Sequence, residues 1–216
     1  MTPNSVMKTR IIGPASIITL IYFVLAVFYF TPFQVPHKLV FPLAFLTLCS
    51  IRWAPWTMVL AMGFSALGDW MGTCHNFWGQ MGFFALAHLA YILFFSRSCK
   101  QGRAMGKAMW KCGVVLLYGL VVGVLVLRHV SGVLQIGVLV YMLLIMVMCA
   151  MAWMQENRYY AIGAWLFVVS DTILAWNKFV APIEWAGYLI MVPYYLGQWV
   201  LFVQVLKIGV ERKRVG

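Results

Sequence analysis

Charged side chains are scarce in this sequence, and acidic side chains are the scarcest. Only 10% of the 216 residues are charged, with 16 Lys and Arg against 5 Asp and Glu, while 64% are apolar. An ordinary soluble domain has about 25% charged and about 45–50% apolar residues. So few charges cannot cover the surface of a soluble globule of this size. The composition therefore predicts a membrane protein that is solvated mainly by lipid.

The net charge of +11 does not indicate a nucleic-acid-binding protein. The basic residues lie at the ends of apolar runs and form no patch interleaved with polar groups. A bias of positive charge towards the cytoplasmic side of a membrane explains the excess. We therefore expect membrane lipid and no nucleic acid among the partners, and the sequence leaves the oligomeric state open.

Sequence patterns for a disulfide framework or a metal site are absent. The five cysteines contain no C-x-x-C pair and their number is odd. No metal-ligand spacing such as H-x-x-x-H occurs. We therefore predict neither a cofactor nor a bound metal.

Apolar runs of the length needed to cross a bilayer recur along the whole chain. A spanning helix needs about 20 apolar residues, whereas a barrel strand needs about 9–11 in strict alternation. The sequence therefore predicts an all-α, polytopic membrane helical bundle with eight transmembrane helices. The predicted spans are residues 11–30, 36–51, 54–73, 79–96, 108–127, 132–153, 159–177 and 184–207.

The distribution of Lys and Arg predicts the orientation of the spans. With a cytoplasmic N-terminus, thirteen of the sixteen basic residues lie on the inner side, and only Lys38, Arg128 and Lys178 lie on the outer side. Both termini are then cytoplasmic. Lys38 opens the second span and Lys178 ends the seventh, and each either snorkels to the interface or binds an anionic head group.

The chain is expected to form one integral membrane domain over residues 1–216. Phe and Asp recur with similar spacing in the third and seventh spans, which suggests two four-helix halves, residues 11–97 and 108–207. The lack of long tails favours the inner membrane of a bacterium.

Two carboxylates interrupt the apolar spans, in "SALGDW" and in "VVSDTIL". Asp69 and Asp171 are the acids inside spans, and an acid at mid-bilayer costs about 2.5–3.5 kcal/mol unless it faces a bundle interior or a watery cavity. Both lie at a similar depth, so they can meet in one cavity nearer the outer face. The alternative is that each carboxylate forms a private hydrogen bond with a neighbouring Ser, Trp or Tyr.

Further polar residues fall at comparable depths on the neighbouring spans. His88 and Tyr91 share one face of the fourth span, and Tyr194 and Gln198 share one face of the eighth, next to Tyr195. A lone His in an apolar helix is as often a satisfied core residue as a catalytic one. Near two carboxylates, a functional role for His88 is favoured.

Four segments give the sequence a family resemblance. "SALGDW", "GFFALAHLAYILFF", "GAWLFVVSDTILAWNKF" and "YYLGQ" resemble the YhhN family in order and spacing, and "HKLVFP" resembles its Lys-x-x-x-Pro segment. The resemblance covers residues 36–205. It implies a polytopic lysoplasmalogenase, which hydrolyses the vinyl ether bond of a lysophospholipid to a fatty aldehyde and glycerophosphoethanolamine or glycerophosphocholine. Pro193 departs from the pattern, since Thr or Ser is expected there.

The resemblance also implies roles for individual residues. Asp69 and Asp171 correspond to the essential acids, and we predict His88 as a third catalytic residue. The predicted substrate-binding residues are Lys38, Ser65, Tyr91, Ser170, Asn177, Lys178, Tyr194, Tyr195 and Gln198.

Two carboxyl groups suit the implied reaction. Protonation of the β carbon of a vinyl ether creates an oxocarbenium ion, water adds to it, and the hemiacetal breaks down to aldehyde and alcohol. One carboxyl must be neutral to donate the proton, while the other must be charged to stabilise the cation and activate water. We predict Asp69 as the acid and Asp171 as the ionised partner, because Ser170 can hydrogen-bond to Asp171.

Three other functions are compatible with buried acids. Asp69, His88 and Asp171 could hold the metal of a lipid hydrolase. Intramembrane acids also occur in transporters and proton pathways. A scaffold without chemistry is the third alternative, whereas the G-x-G-D context of a two-aspartate intramembrane protease is absent.

Overall fold

The computed structural model describes residues 3–98 and 105–215, with side chains given for 16–98 and 110–206. Within those residues the chain is all-helical, which confirms the predicted class, and Lys38–Val40 form a short 3-10 turn. Lys100 and Arg103, two of the predicted inner basic residues, lie outside the described residues. The helices are α1 (Pro3–Tyr29), α2 (Phe41–Trp53), α3 (Trp56–Thr73), α4 (Phe77–Ser98), α5 (Met105–Leu127), α6 (Gly132–Trp153), α7 (Arg158–Phe179) and α8 (Ala186–Val215).

Five of these helices are long and apolar enough to cross a membrane, so the chain is an integral, multi-pass membrane protein. They are Phe77–Ser98, Trp110–Leu127, Gly132–Trp153, Arg158–Phe179 and Ala186–Leu206. The exact count of eight spans and the cytoplasmic position of both termini stay predictions.

The start of α2 differs from the predicted second span, which began at residue 36. His37 has a left-handed backbone with φ 55, and the 3-10 turn follows it, so α2 begins only at Phe41. Pro42 lies in the first turn, where its missing N–H group leaves no helical bond unmade. The resulting helix has 13 residues. At 1.5 Å per residue it is about 20 Å long, shorter than a hydrocarbon layer of about 30 Å.

The pairs α3–α4 and α7–α8 form the centre of the molecule. α2 lies against α3 and α8, while α6 lies against α4, α5 and α7. Large aromatic side chains fill the centre, and Tyr91, Phe95, Phe167 and Phe202 are almost completely buried. The outer face of α5 is apolar and exposed, as expected for a surface that contacts lipid; its leucines include Leu116, Leu117 and Leu120.

Two glycines allow α7 and α8 to approach backbone to backbone. A Cβ atom on Gly197 of α8 would lie 2.9 Å from the carbonyl oxygen of Gly163 on α7. A Cβ atom on Gly163 would lie 2.7 Å from the side chain of Leu201. Small residues permit such close packing in membrane proteins, where no hydrophobic force draws helices together. The contact holds the α7 backbone that carries Asp171 beside the α8 backbone that carries Tyr194.

Candidate functional site

Asp69 and Asp171 line one cavity between the helices. Each lies the same number of residues after the start of its helix, α3 or α7, which is about 20 Å along the axis. The cavity has a volume of about 140 Å³, and Gln80, Ser170 and Tyr194 also line it. The structure therefore brings both carboxylates together with polar neighbours, and we call this cavity the acidic chamber.

The two carboxylates differ in their exposure. Asp69 has an exposed fraction of 2%, whereas the side chain of Asp171 is 16% exposed. Burial away from water disfavours a charged carboxylate more strongly than partial exposure does. The two carboxyl groups therefore lie in environments of different polarity. Such a difference is needed if one acid is to donate a proton while the other is to carry a charge.

A tyrosine hydroxyl donates a hydrogen bond to each carboxylate. Tyr194 on α8 donates to Asp69 Oδ2 over 2.9 Å. Tyr141 on α6 donates to Asp171 Oδ2. Each acid therefore has one tyrosine partner from a different helix, as in the private hydrogen bonds considered above, yet both acids still line the shared chamber.

His88 reaches Asp171 mainly through Tyr141. Its Nε2 atom lies 3.1 Å from the Tyr141 hydroxyl oxygen and 3.7 Å from Asp171 Oδ2. Because Tyr141 has one proton and donates it to Asp171, His88 must donate from Nε2 to the Tyr141 oxygen. Nδ1 of His88 is buried and has no hydrogen-bond partner in the part of the chain that the structure describes. His88 is thus a buried residue behind Tyr141 and not a wall of the chamber.

Tyr91 and Gln198 form a buried pair behind the chamber. The Tyr91 hydroxyl on α4 donates to Gln198 Oε1 on α8 over 2.7 Å, and both side chains are completely buried. Ser65 is also buried, and its hydroxyl donates to the Ala61 carbonyl within α3. These three predicted substrate-binding residues do not line the acidic chamber, so their binding role stays a prediction.

Three more of the predicted substrate-binding residues hold backbone segments. Lys38 Nζ donates to the carbonyls of Thr31 and Phe33, over 2.7 and 2.9 Å. Asn177 Oδ1 accepts from the Ile183 amide, and Tyr195 donates to the Leu39 carbonyl. Lys38 therefore fixes the segment between α1 and α2, which leaves its ammonium group less available to an anionic head group.

Ser170 and Lys178 lie closer to the site. Ser170 lines the acidic chamber, but its hydroxyl donates to the Ile190 carbonyl on α8 and not to Asp171. The prediction that Ser170 hydrogen-bonds to Asp171, on which the ionised state of Asp171 was based, is therefore wrong. Lys178 is exposed, with Nζ 5.0 Å from the ring centre of Phe77, and it lines an apolar cavity that adjoins the chamber.

Comparison with known proteins agrees with the sequence motifs. The family model described as YhhN family matches residues 14–205. The chain belongs to the YhhN family.

Similarity to a curated protein adds to this membership. The chain is 33% identical over 137 residues to lysoplasmalogenase TMEM86B of Homo sapiens. The aligned stretch covers 61% of this chain and 55% of the human protein. The YhhN chain thus spans about half the length of the curated relative that it matches. No solved structure matches it.

The three residues considered above as an alternative metal site of this YhhN chain do not form one cluster of potential ligands in the part of the chain that the structure describes. Among the described residues, no group of three or more His, Cys, Asp or Glu is close enough to hold a metal ion. His88 approaches Asp171 but hydrogen-bonds to Tyr141, while Asp69 bonds to Tyr194. The trio of Asp69, His88 and Asp171 therefore reads as a hydrogen-bonded site and not as a set of ligands.

Sequence reasoning missed Tyr141, although it contacts Asp171 directly. Tyr141 lies in the middle of α6, within "VLVYMLL", as the single polar side chain of that segment. A tyrosine in the middle of an apolar span is a signal, because Tyr is usually enriched at the membrane interface. The helix that supplies Asp171's partner could have been found from that position.

Proposed function

We propose that this YhhN chain is a membrane hydrolase that cleaves the vinyl ether bond of a lysoplasmalogen. The products are a fatty aldehyde and glycerophosphoethanolamine or glycerophosphocholine, and Asp69 and Asp171 act as the acid and base. The observation that carries the proposal is the acidic chamber, in which both carboxylates line one cavity inside a helical membrane protein. The printed name of the human relative, a lysoplasmalogenase, supports the substrate class.

The difference in burial supports separate roles for the two acids. Asp69, almost completely buried, is protonated and donates its proton to the β carbon of the vinyl ether. Asp171 is the more exposed of the two acids, so in this proposal it is the ionised group. It stabilises the oxocarbenium ion and removes a proton from the attacking water.

Breakdown of the hemiacetal restores both carboxyl groups. After water has added, Asp171 carries a proton and Asp69 is ionised. Asp171 then gives its proton to the leaving glycerol oxygen, while Asp69 removes the proton of the hemiacetal hydroxyl as the carbonyl forms. The carbon–oxygen bond breaks, one water has been consumed, and each acid regains its starting state.

The chamber is large enough for the water that the reaction consumes. A water molecule needs only about 10–15 Å³ of cavity measured with a water-sized probe, and several polar partners. The chamber offers about 140 Å³, with Gln80 and Ser170 beside the two acids. A glycerol backbone and a nucleophilic water can therefore be present together.

The direct test uses purified protein in detergent and a vinyl ether lysolipid. We expect wild type to release aldehyde, and Asp69→Asn and Asp171→Asn each to lower the rate by at least about 100-fold, the usual contribution of a positioned acid or base. The matched control is Glu184→Gln, which removes an exposed carboxylate between α7 and α8 and should keep the rate within about twofold.

Two results would contradict the proposal. Folded Asp→Asn variants that both keep the wild-type rate would remove the acids from the mechanism. A folded wild-type protein that releases no aldehyde in detergent, but moves the lysolipid across a vesicle membrane, would favour the transporter alternative.

A further inference from the structure

A second cavity adjoins the acidic chamber and is almost entirely apolar. It lies among α4, α5, α6 and α7, and its walls include three methionines. We call it the methionine pocket; the wall residues used here are Met81, Val122, Met142, Ile145, Met146 and Ala175. Several of these side chains also pack against a buried apolar cluster of Val126, Val130 and Val138.

The methionine pocket and the acidic chamber share a wall. Gln80, Phe84, Asp171 and Leu174 line both cavities. On the chamber side of this wall lie Asp69 and further polar groups, whereas the other side is almost wholly apolar. Asp171 therefore stands at a boundary between a polar and an apolar space.

The chemistry of a vinyl ether requires such a boundary. The carbon that accepts the proton carries the hydrocarbon chain directly, while the neighbouring carbon is bonded to the glycerol oxygen. When the double bond lies beside Asp171, the chain must leave on one side and the glycerophosphate group on the other. An apolar chain is more stable against Met, Val and Ile side chains than in a cavity lined by carboxyl and hydroxyl groups.

We propose that the methionine pocket, which begins at Asp171 and runs among α4 to α7, binds the single unbranched hydrocarbon chain of the substrate and limits its length. This assignment rests on the proposed function. Methionine side chains are unbranched and flexible, so they adapt to a chain that has many conformers. The alternative orientation places the phosphate group beside Lys178, at the edge of the pocket.

Two neighbouring valines on α5 provide a matched pair of variants. Val122 lines the methionine pocket, whereas the preceding residue, Val121, points about 100° away around the helix, has an exposed fraction of 51% and does not line the pocket. Val122→Phe adds a ring inside the pocket, and Val121→Phe adds the same ring on the surface that contacts lipid. Met142→Ala on α6 removes side-chain volume from the pocket.

The experiment compares kcat/KM for vinyl ether lysolipids with long and short chains. For chains of about 18 against about 8 carbons, we expect Val122→Phe to lower the long-to-short ratio at least about tenfold, since misfits of this size cost about 10–200-fold. Val121→Phe should keep the ratio within about twofold of wild type. Met142→Ala should raise the ratio, because a larger pocket admits more of the long chain.

A binding measurement separates failure of the pocket from failure of the proposed function. Saturated alkyl ether lysolipids of the same two lengths have no double bond to protonate, and their binding raises the Tm of the folded protein. Suppose that wild type releases no aldehyde, that the longer ligand raises its Tm more than the shorter one does, and that Val122→Phe abolishes this difference. The proposed hydrolysis would then be wrong, whereas the proposed chain site in the methionine pocket would be supported.

Other outcomes overturn the pocket alone. Aldehyde release with the same long-to-short ratio in Val122→Phe and Val121→Phe would exclude the pocket as the chain site. If Val122→Phe does not fold, an unchanged ratio in Met142→Ala would have the same meaning. A change with head group but not with chain length would support the orientation towards Lys178.

Discussion

Tyr141 donates its single proton to Asp171, and its oxygen lies 3.1 Å from His88 Nε2. A hydrogen bond to a charged group contributes about 1.5–3 kcal/mol, more than a bond between neutral groups. Tyr141 therefore orients the carboxylate that, in the proposed mechanism, stabilises the oxocarbenium ion. His88 lies behind Tyr141, so we expect it to act through Tyr141 as a positioning residue.

Tyr141→Phe should lower kcat by about tenfold to hundredfold and leave KM nearly unchanged, because the hydrogen bond to Asp171 is lost while the ring that lines the methionine pocket is kept. The measurement is the rate of aldehyde release against substrate concentration. Tyr118→Phe is the matched control, since Tyr118 donates to Thr172, the residue after Asp171, over 2.9 Å. Equal losses in both variants would show a general effect on α7 instead.

Tyr91→Phe tests whether the pair of Tyr91 and Gln198 is structural. The variant leaves the buried Gln198 side chain without its partner, so the Tm should fall and the free energy of unfolding should drop by about 1–3 kcal/mol. The double variant Tyr91→Phe with Gln198→Leu should recover part of that loss, because replacing both partners by apolar groups is nearly neutral. An increase in KM with an unchanged Tm would instead identify a substrate contact.

The two acids were predictable from sequence, whereas the pairing of each acid with its tyrosine was not. Asp69 and Asp171 are charges inside apolar runs, and the cost of burying a charge makes such positions informative by themselves. Hydrogen bonds such as Tyr91 to Gln198 join helices far apart in the chain, so they depend on packing that no local pattern reveals. For the same reason Ser170 was paired with Asp171, its neighbour in sequence, whereas its hydroxyl bonds across to α8.

At the scale of the elements, the contact between α7 and α8 determines how the chamber is shaped. Ser170 and Asp171 lie on α7 and Tyr194 on α8, so a small separation of these two helices changes the geometry around both acids. The close approach depends on Gly163 and Gly197. The length and hydrophobicity of the apolar runs predicted both helices. The close approach of their backbones was not predictable, because it depends on which face of each helix meets the other.

Gly197→Ala should destabilise the protein and lower its activity. The new Cβ atom would lie 2.9 Å from the Gly163 carbonyl oxygen, so α7 and α8 must move apart, at a cost of about 1–3 kcal/mol. Gly82→Ala on α4 is the control, because no atom beyond the adjacent backbone of its own helix lies within 4 Å of its new Cβ. There we expect no loss of Tm, since Ala favours a helix over Gly by about 1 kcal/mol. Equal Tm values for both variants would argue against the close contact.

The boundaries of α2 illustrate the limit of reading apolar runs. The run from residue 36 continues through the 3-10 turn, yet the left-handed His37 and the position of Pro42 delay the α-helix to Phe41. Composition does not reveal such a local change of direction. The hydrogen bonds from Lys38 to the carbonyls of Thr31 and Phe33 stabilise that segment instead.

At the scale of the whole molecule, the orientation predicted from Lys and Arg can be tested by labelling Cys74. Cys74 is exposed at the end of α3, and Met154 is exposed at the end of α6. With a cytoplasmic N-terminus these positions lie on opposite sides of the membrane, Cys74 outside and Met154 inside.

In a variant whose other cysteines are alanine, a membrane-impermeant maleimide should label Cys74 in intact cells. Met154→Cys in a background without other cysteines should react only after the cells are permeabilised. The reverse pattern would place both termini outside and would move the acidic chamber towards the inner face.

The shared wall at Asp171 has a consequence for what happens after the bond is cut. In the proposed reaction, the bond breaks where the apolar methionine pocket meets the polar acidic chamber. Each fragment is therefore already in surroundings of its own polarity. The aldehyde can diffuse sideways into the bilayer while the head group departs into water. If the fragments leave in these two directions, we expect accumulation of one product not to retain the other.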